Sequence, residues 1–289
     1  MKSLKQYVNE KLIFPSQVNE KLIINKNSNI VGISYKYHPK TREELIKILS
    51  KLCSYDNETY MKNYTLDVSD IDVSKIDDFS GIFASIDNAS YVRMRKLIIS
   101  DWDTSSATNM REMFDGLCSV EEIIGIEELN VSNVKDMSWM FSQCSFLKKI
   151  DLSNWDVKKC KKFSYMFYGC KSLLDVSFVK KWTVNDVDSI NSMFSGCRKI
   201  KSADITGWGI NKHQSLSCLY ENCTRLIDVG DISKINYTNI YSFNKMFKGC
   251  RNIEHIGNIE GWKINNIVDT IEMFKGCKKL KDIPSWWKY

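Results

Sequence analysis

Apolar residues recur along this chain in a fixed order. Around Met140 they are Val134, Met137, Met140, Phe141 and Cys144, with polar residues such as Ser138 between them. Met137, Met140, Phe141 and Cys144 fall at i, i+3, i+4 and i+7, one face of an α-helix. The order returns as Phe163, Met166, Phe167, Cys170, then as Ile190, Met193, Phe194, Cys197, and again as Phe243, Met246, Phe247, Cys250. After each stretch the period shortens to two. Ile150-Asp151-Leu152, Val176-Ser177-Phe178 and Ala203-Asp204-Ile205 alternate apolar and polar positions, which predicts short strands. A tryptophan slot comes next, filled by Trp102, Trp155, Trp182, Trp208 and Trp262. A flat ring repeated at one position is expected to stack in the core.

The pair Met-Phe marks the repeat, from Met113-Phe114 through Met140-Phe141, Met166-Phe167, Met193-Phe194 and Met246-Phe247 to Met273-Phe274. Leu219-Tyr220 fills the one gap, and Ile82-Phe83 is a weaker first copy. Steps of 26 or 27 residues from Met113 onward predict a solenoid. The expected fold is therefore an α/β solenoid, a leucine-rich-repeat-like stack of strand–helix units with a parallel sheet on one face. Residues 65–283 would form about eight units, with a helical cap at 31–64 and a C-terminal cap at 284–289. Thr41-Arg42-Glu43-Glu44 reads as a capping box that opens the first cap. Residues 1–30 form a tail in which Val8-Asn9-Glu10-Lys11-Leu12-Ile13 is repeated as Val18-Asn19-Glu20-Lys21-Leu22-Ile23.

The string Ile150-Asp151-Leu152-Ser153-Asn154-Trp155-Asp156-Val157, continued by Phe163 to Leu173, resembles the BspA-type leucine-rich repeat family. The resemblance covers about residues 66–283. It implies an adhesin-like or protein-binding role, a surface location and no enzymatic activity. The front end around Tyr37-His38-Pro39-Lys40-Thr41 is similar to phage-encoded members of that family.

Composition narrows the function classes. The chain has 41 basic and 35 acidic residues, a net charge of +6, too mild a basicity to point to nucleic acid. No apolar run reaches the roughly 18 residues needed to span a bilayer. Met1 to Glu10 is polar and lacks the apolar core of a signal peptide. This favours a cytoplasmic or virion-associated location over classical secretion.

Six of the ten cysteines, Cys144, Cys170, Cys197, Cys223, Cys250 and Cys277, hold one slot of the repeat. With no Cys-x2-Cys pair, no zinc is expected. They read as small buried thiols forming a structural ladder together with the tryptophans. His38, His213 and His255 are too dispersed for a catalytic triad. His213, in the slot of Val134, Val187, Ile240 and Ile267, reads as a semi-core residue. No cofactor is expected.

With Ile150 and Leu152 turned inward, Lys149, Asp151 and Ser153 face outward. The matching positions include Asp175 and Ser177, then Asp204 and Thr206, then Asp228 and His255. This stripe of Asp, Ser and Thr is either the binding face or a row of small polar residues required by crowded strands. The expected function is a non-enzymatic protein-recognition module that binds a protein, or a surface glycan, through this face. The alternative is a structural component of a phage particle tethered by its N-terminal segment.

Overall fold

In a computed structural model, which describes residues 22–24, 30–54, 57, 63–86, 93–210, 212–264 and 267–288, the Met-Phe stretches are not helices. Among the described residues the one α-helix is α1 (Arg42–Leu52), and it precedes the repeats. Strands are few. β1 (Leu22–Ile24) pairs antiparallel with β2 (Ile30–Ile33). β3 (Thr65–Asp67), β4 (Lys96–Ile98) and β5 (Glu122–Ile124) form one parallel sheet, and β6 (Gln214–Ser215) and β7 (Ile240–Ser242) form a second. The expected stack of strand–helix units with a sheet along one face is thus corrected. The hexamer at residues 8–13 and residues 18–21 of its repeat lie outside the described residues.

The reason is in the backbone. Within the unit of Met140, Met140 N–H bonds Met137 O at 3.2 Å, Ser142 N–H bonds Trp139 O at 2.9 Å, and Cys144 N–H bonds Phe141 O at 3.2 Å. These are successive four-residue turns, closed at i+3 rather than i+4. Trp139 and Gln143 have φ of +63° and +59°, the left-handed geometry that type II turns need at their third residue. The slot of Trp139 is left-handed in every unit, at Gly81, Glu112, Tyr165, Ser192, Cys218, Lys245 and Glu272. One such residue interrupts a right-handed helix, and for a non-glycine it costs about 1–2 kcal/mol.

Hydrogen bonds between units offset that cost. The N–H groups of Met137, Trp139, Phe141 and Gln143 donate to the carbonyls of Lys162, Ser164, Met166 and Tyr168 at 2.7–3.0 Å. The unit before does the same, from Met110, Glu112, Phe114 and Gly116 to Asp136, Ser138, Met140 and Ser142. So does the unit of Phe247, from Phe243, Lys245, Phe247 and Gly249 to Asp269, Ile271, Met273 and Lys275. Each bond contributes about 0.5–1.5 kcal/mol, so four per unit match or exceed the strain of the two left-handed side chains, Trp139 and Gln143. Every donor in this set points toward the next unit and every acceptor toward the previous one.

Aromatic rings fill the space behind this ladder. Phe83, Phe114, Phe141, Phe167, Phe194, Tyr220, Phe247 and Phe274 stack in one column with neighbouring centroids 5.3–5.9 Å apart. Tyr220 keeps its ring in register, and its buried hydroxyl donates to Ala203 O at 2.8 Å. The tryptophans sit beside the column. Trp155 donates from Nε1 to Ile126 O, Trp182 to Leu152 O and Trp208 to Val179 O, at 2.9–3.1 Å, in each case a carbonyl of the unit before. The ladder thiols also donate to the unit before, from Cys144 to Phe114 O at 3.2 Å and from Cys170 to Phe141 O at 3.0 Å. The cysteines are therefore hydrogen-bonding links as well as small apolar fillers.

Aspartate turns recur in the segments that follow the Met-Phe stretches. Asp151, Asp175 and Asp204 each accept, through Oδ1, the N–H two residues on, at Ser153, Ser177 and Thr206. This local bond closes a turn just beyond the aspartate. In β3 the aspartate of such a turn is itself paired, Asp67 lying opposite Ile98 of β4 while its Oδ1 accepts Ser69 N–H at 3.0 Å. At the N-terminal side, Thr41 Oγ1 accepts from Glu44 N–H at 3.2 Å and caps α1. Leu45 and Leu49 of α1 are fully buried, and Arg42 Nε donates to Ser80 O at 2.5 Å.

The left-handed slot separates a turn from a helix in a single measurement. Lys245→Gly is expected to leave the protein about 1 kcal/mol more stable than Lys245→Ala by urea unfolding. In an α-helix the order would be the reverse, with alanine ahead by about the same amount.

A candidate recognition groove and the family of the chain

Three consecutive units differ in length where they face solvent. From buried Val120 to buried Ile126 is six residues, from Leu147 to Leu152 five, and from Leu173 to Val179 six. The equivalence is structural. Ile126, Leu152 and Val179 each accept a tryptophan Nε1–H, and each closes a turn with the residue three further on. The shorter middle segment recedes between its neighbours, which carry the 3-10 segments Ile126–Glu128 and Ser177–Lys181. The result is a groove of about 830 Å³.

Its lining is partly apolar, with Ile150, Leu174 and Phe178. Leu174 is 45% exposed, in a slot held by Arg95, Glu121, Lys148, Lys201, Glu254 and Lys281 in six other units and by one other exposed aliphatic, Ile227. Glu121, Glu122 and Glu127 line one side, and Lys148, Lys149 and Lys181 also line the groove. Glu121 pairs with Lys148 at 2.7 Å and Arg95 at 3.0 Å. The Lys148 ammonium, bonded to it and aided by Arg95, holds its carboxyl below the usual range.

Five of the expected face residues lie in this groove: Lys149, Asp151, Ser153, Asp175 and Ser177. The other four do not line it. Asp204 is buried, holds Thr206 through two hydrogen bonds and meets Lys180 at 3.0 Å. A Cβ on Gly230 would collide with the Asp204 carboxylate, so Asp204 sits beneath neighbouring backbone. Asp228 Oδ1 accepts from Gly230 N–H and Oδ2 from Ser202 Oγ, both at 2.9 Å. His255 Nδ1 lies 2.8 Å from Asp282 Oδ2, in a separate cavity of about 470 Å³. Glu121, Glu122, Glu127, Leu174 and Lys181 were not among the expected residues. The signal for Leu174 was an apolar residue in a mostly charged slot.

The remaining chemistry does not converge. His38 stands between Asp72 and Tyr35 O. His213 is exposed, with its ring 4.7 Å from Tyr241, because Gln214 takes the buried position that pairs with Ile240. Among the described residues no group of three or more His, Cys, Asp or Glu side chains could hold a metal ion. Among them, too, no helix is long and apolar enough to cross a membrane. A second aromatic group lies on the Met-Phe edge of the same units. Trp139 stacks on Tyr165 at 3.9 Å, and Tyr168 stands edge-on to both.

This geometry is that of a repeat protein built from hydrogen-bonded turns, with a solvent groove where one unit is short. The chain belongs to the family described as "Mycoplasma protein of unknown function, DUF285", whose model matches three times, over residues 56–124, 86–208 and 191–288. No BspA-type or leucine-rich repeat family matches, so the resemblance drawn from the Met-Phe, Cys and Trp spacing is corrected; that spacing lies inside the DUF285 segments. No curated protein and no solved structure matches the chain.

Burial, the leading effect on Asp204, raises its carboxyl, but the Thr206 hydrogen bonds and Lys180 outweigh it and hold the group below the usual range. For Asp151 the Ser153 hydrogen bonds lead, with the same result. A depressed carboxyl contributes stability that is present above the unfolded value of about 3.9 and is lost as pH falls through the lowered native value. Asp204→Asn should therefore lower stability at neutral pH and flatten its decline below about pH 4, read by urea unfolding. Parallel acid limbs for the two proteins would show the carboxylate is not linked to folding.

Burial pushes the thiols of Cys144, Cys170, Cys223 and Cys250 well up, and those of Cys160 and Cys277 up to about 12. Cys118 and Cys218 are half-buried, and burial together with Glu221 takes Cys218 to about 11. A thiol reagent at neutral pH should label native Cys118 first, Cys218 slowly and the six ladder cysteines only on unfolding. Comparable native labelling of Cys170 or Cys223 would contradict the buried ladder.

Proposed function

We propose that this chain is a non-enzymatic protein-recognition module and that the groove between Ile126 and Lys181 is its binding surface. The observation that carries this reading is the short middle unit, beside which a groove opens with Leu174 exposed in its lining. A concave surface with an apolar floor and polar walls is the usual form of a recognition site. Binding is noncovalent, and the hydrogen-bonded turns hold the walls in place before the partner arrives, so little entropy is lost on association.

The test is photo-crosslinking in cells from a probe placed at Ser153, inside the groove, with Lys234 as the control position. The expected result is one discrete protein adduct from position 153, absent from position 234 and lost in Leu174→Glu. Since Leu174 is 45% exposed, that substitution should change stability by no more than about 0.5 kcal/mol. Equal adducts from both positions, or an adduct unaffected by Leu174→Glu, would remove the groove as the binding surface.

A further inference from the structure

Each Met-Phe turn passes its outward N–H groups to the unit that follows, and the turn of Met273 is the last of them among the described residues. In the unit before it, Lys245 and Gly249 N–H donate to Ile271 O and Lys275 O at 2.9 and 2.8 Å. The matching donors, Glu272 and Gly276 N–H, meet no acceptor among the described residues. Both residues are left-handed like their counterparts, at φ of +54° and +82°. Trp287 covers part of this edge, donating to Thr270 O and packing on Phe274. Lys275 and Gly276 beside it are exposed, whereas Lys248 and Gly249 are half-buried. Ile271 is 65% exposed, in a slot that is polar in the other units, as at Ser217 and Asn244.

Charge at this end is cationic. From Asp269 to Lys288 there are five lysines and three carboxylates. Asp269 is half-buried and accepts from Ile271 N–H and Asn244 Nδ2, both at 3.0 Å. Glu272 pairs with Lys248 at 2.6 Å and with Lys275. Asp282 belongs with Glu260 to the cavity of His255. Lys281 pairs with Glu254 at 3.5 Å. Lys278, Lys279 and Lys288 are exposed and make no ion pair among the described residues. The aligned peptide dipoles add partial positive charge at the donor end of the stack.

We propose that this edge docks an acidic segment of a partner protein, with carboxylates accepting from Glu272 and Gly276 N–H, Lys278 and Lys279 adding attraction, and an apolar side chain on Ile271. This is a second surface, independent of the groove. Backbone N–H groups on a turn edge bind carboxylates through charge-assisted hydrogen bonds. An ordinary strand fits poorly, because its edge presents N–H groups as well as carbonyls and the former would meet donors. A second copy of the chain fits poorly too. The carbonyls that could answer these donors lie in its turn of Phe83, where Arg42 Nε already donates to Ser80 O at 2.5 Å.

The test uses the isotope-labelled full chain, read amide by amide by NMR. In the free protein the Glu272 and Gly276 amides are expected to exchange with solvent about a hundredfold faster than those of Lys245 and Gly249. Capped peptides with the cores Glu-Asp-Leu-Asp-Glu, Gln-Asn-Leu-Asn-Gln and Lys-Lys-Leu-Lys-Lys are then titrated at low salt. The acidic peptide is expected to shift the Glu272 and Gly276 amides and to bind about tenfold more tightly than the neutral one. Lys278→Glu with Lys279→Glu, both at exposed positions, should weaken it about tenfold. Leu174→Glu should leave it unchanged, which keeps this edge distinct from the groove. Equal protection of the four amides in the free protein, no shift at Glu272 and Gly276, or equal affinity for the neutral or basic peptide would overturn the proposal. So would inorganic phosphate that saturates the same amides as tightly, since the edge would then be a simple anion site. Self-association that protects these amides as concentration rises would make the occupant a second copy and overturn it as well.

Discussion

Everything in the repeated part depends on a ladder that runs one way. In each Met-Phe turn alternate N–H groups point toward the next unit, and the carbonyls they meet point back. An ordinary strand pair exchanges donors and acceptors in both directions. Here the peptide dipoles align along the stack, so partial negative charge gathers at the carbonyls of the first unit. The Arg42 guanidinium, on the first residue of α1, donates to one of those carbonyls, Ser80 O. The cap helix therefore answers an electrostatic need as well as covering apolar side chains. At the other end Trp287 packs edge-on against Phe274 at 5.4 Å and donates to Thr270 O at 3.0 Å, closing the ring column.

The aromatic column arises from the same constraint. Unit-to-unit bonds hold equivalent atoms at a fixed spacing, and a phenyl ring at that spacing finds the next ring within stacking range. A smaller side chain at Phe141 or Phe167 would leave a void on both neighbours, because each ring is sandwiched. Tyr220 meets the constraint with an extra hydroxyl, which needs Ala203 O as its acceptor. The ladder thiols add a bond in the opposite sense, each reaching back to the carbonyl of the preceding aromatic residue.

Which residues are buried was legible in the sequence; the backbone shape was not. Met140, Phe141, Cys144, Leu147, Leu152 and Trp155 are all buried, as their spacing suggested. The same spacing at i, i+3, i+4 and i+7 suits a helix, but it equally suits successive four-residue turns, which also return a side chain to one face about every three residues. The discriminating residues were the ones before each cysteine. Gly169, Gly196, Gly249 and Gly276 are left-handed, and Gln143 and Asn222 share that conformation. A glycine or asparagine recurring one residue before the last apolar position signals a left-handed turn. Trp139 and Tyr165 hide the second left-handed slot, since bulky aromatics rarely adopt it. The strands failed for a different reason. Val176-Ser177-Phe178 alternates as a strand would, yet Ser177–Lys181 is a 3-10 segment, and the aspartates assigned to an outward strand face spend one oxygen on the backbone two residues ahead.

Those aspartates also show why a polar stripe is weak evidence for a binding face. At Asp204 the stripe is structural, since the carboxylate is buried and bound on two sides. At Asp151 and Asp175 the same turn occurs, yet both residues line an open groove. The difference lies in the neighbours, not in the aspartates. Both middle segments, Leu147 to Leu152 and Ile200 to Ile205, are one residue shorter than those beside them. Over the second, Lys180 reaches from the preceding unit and its ammonium lies 3.0 Å from Asp204. Over the first, the equivalent residue of the preceding unit is Glu127, which cannot pair with Asp151. No ion pair closes that junction among the described residues, and the groove lies there. At equivalent places one junction thus carries an ion pair onto its aspartate and the other lines a groove.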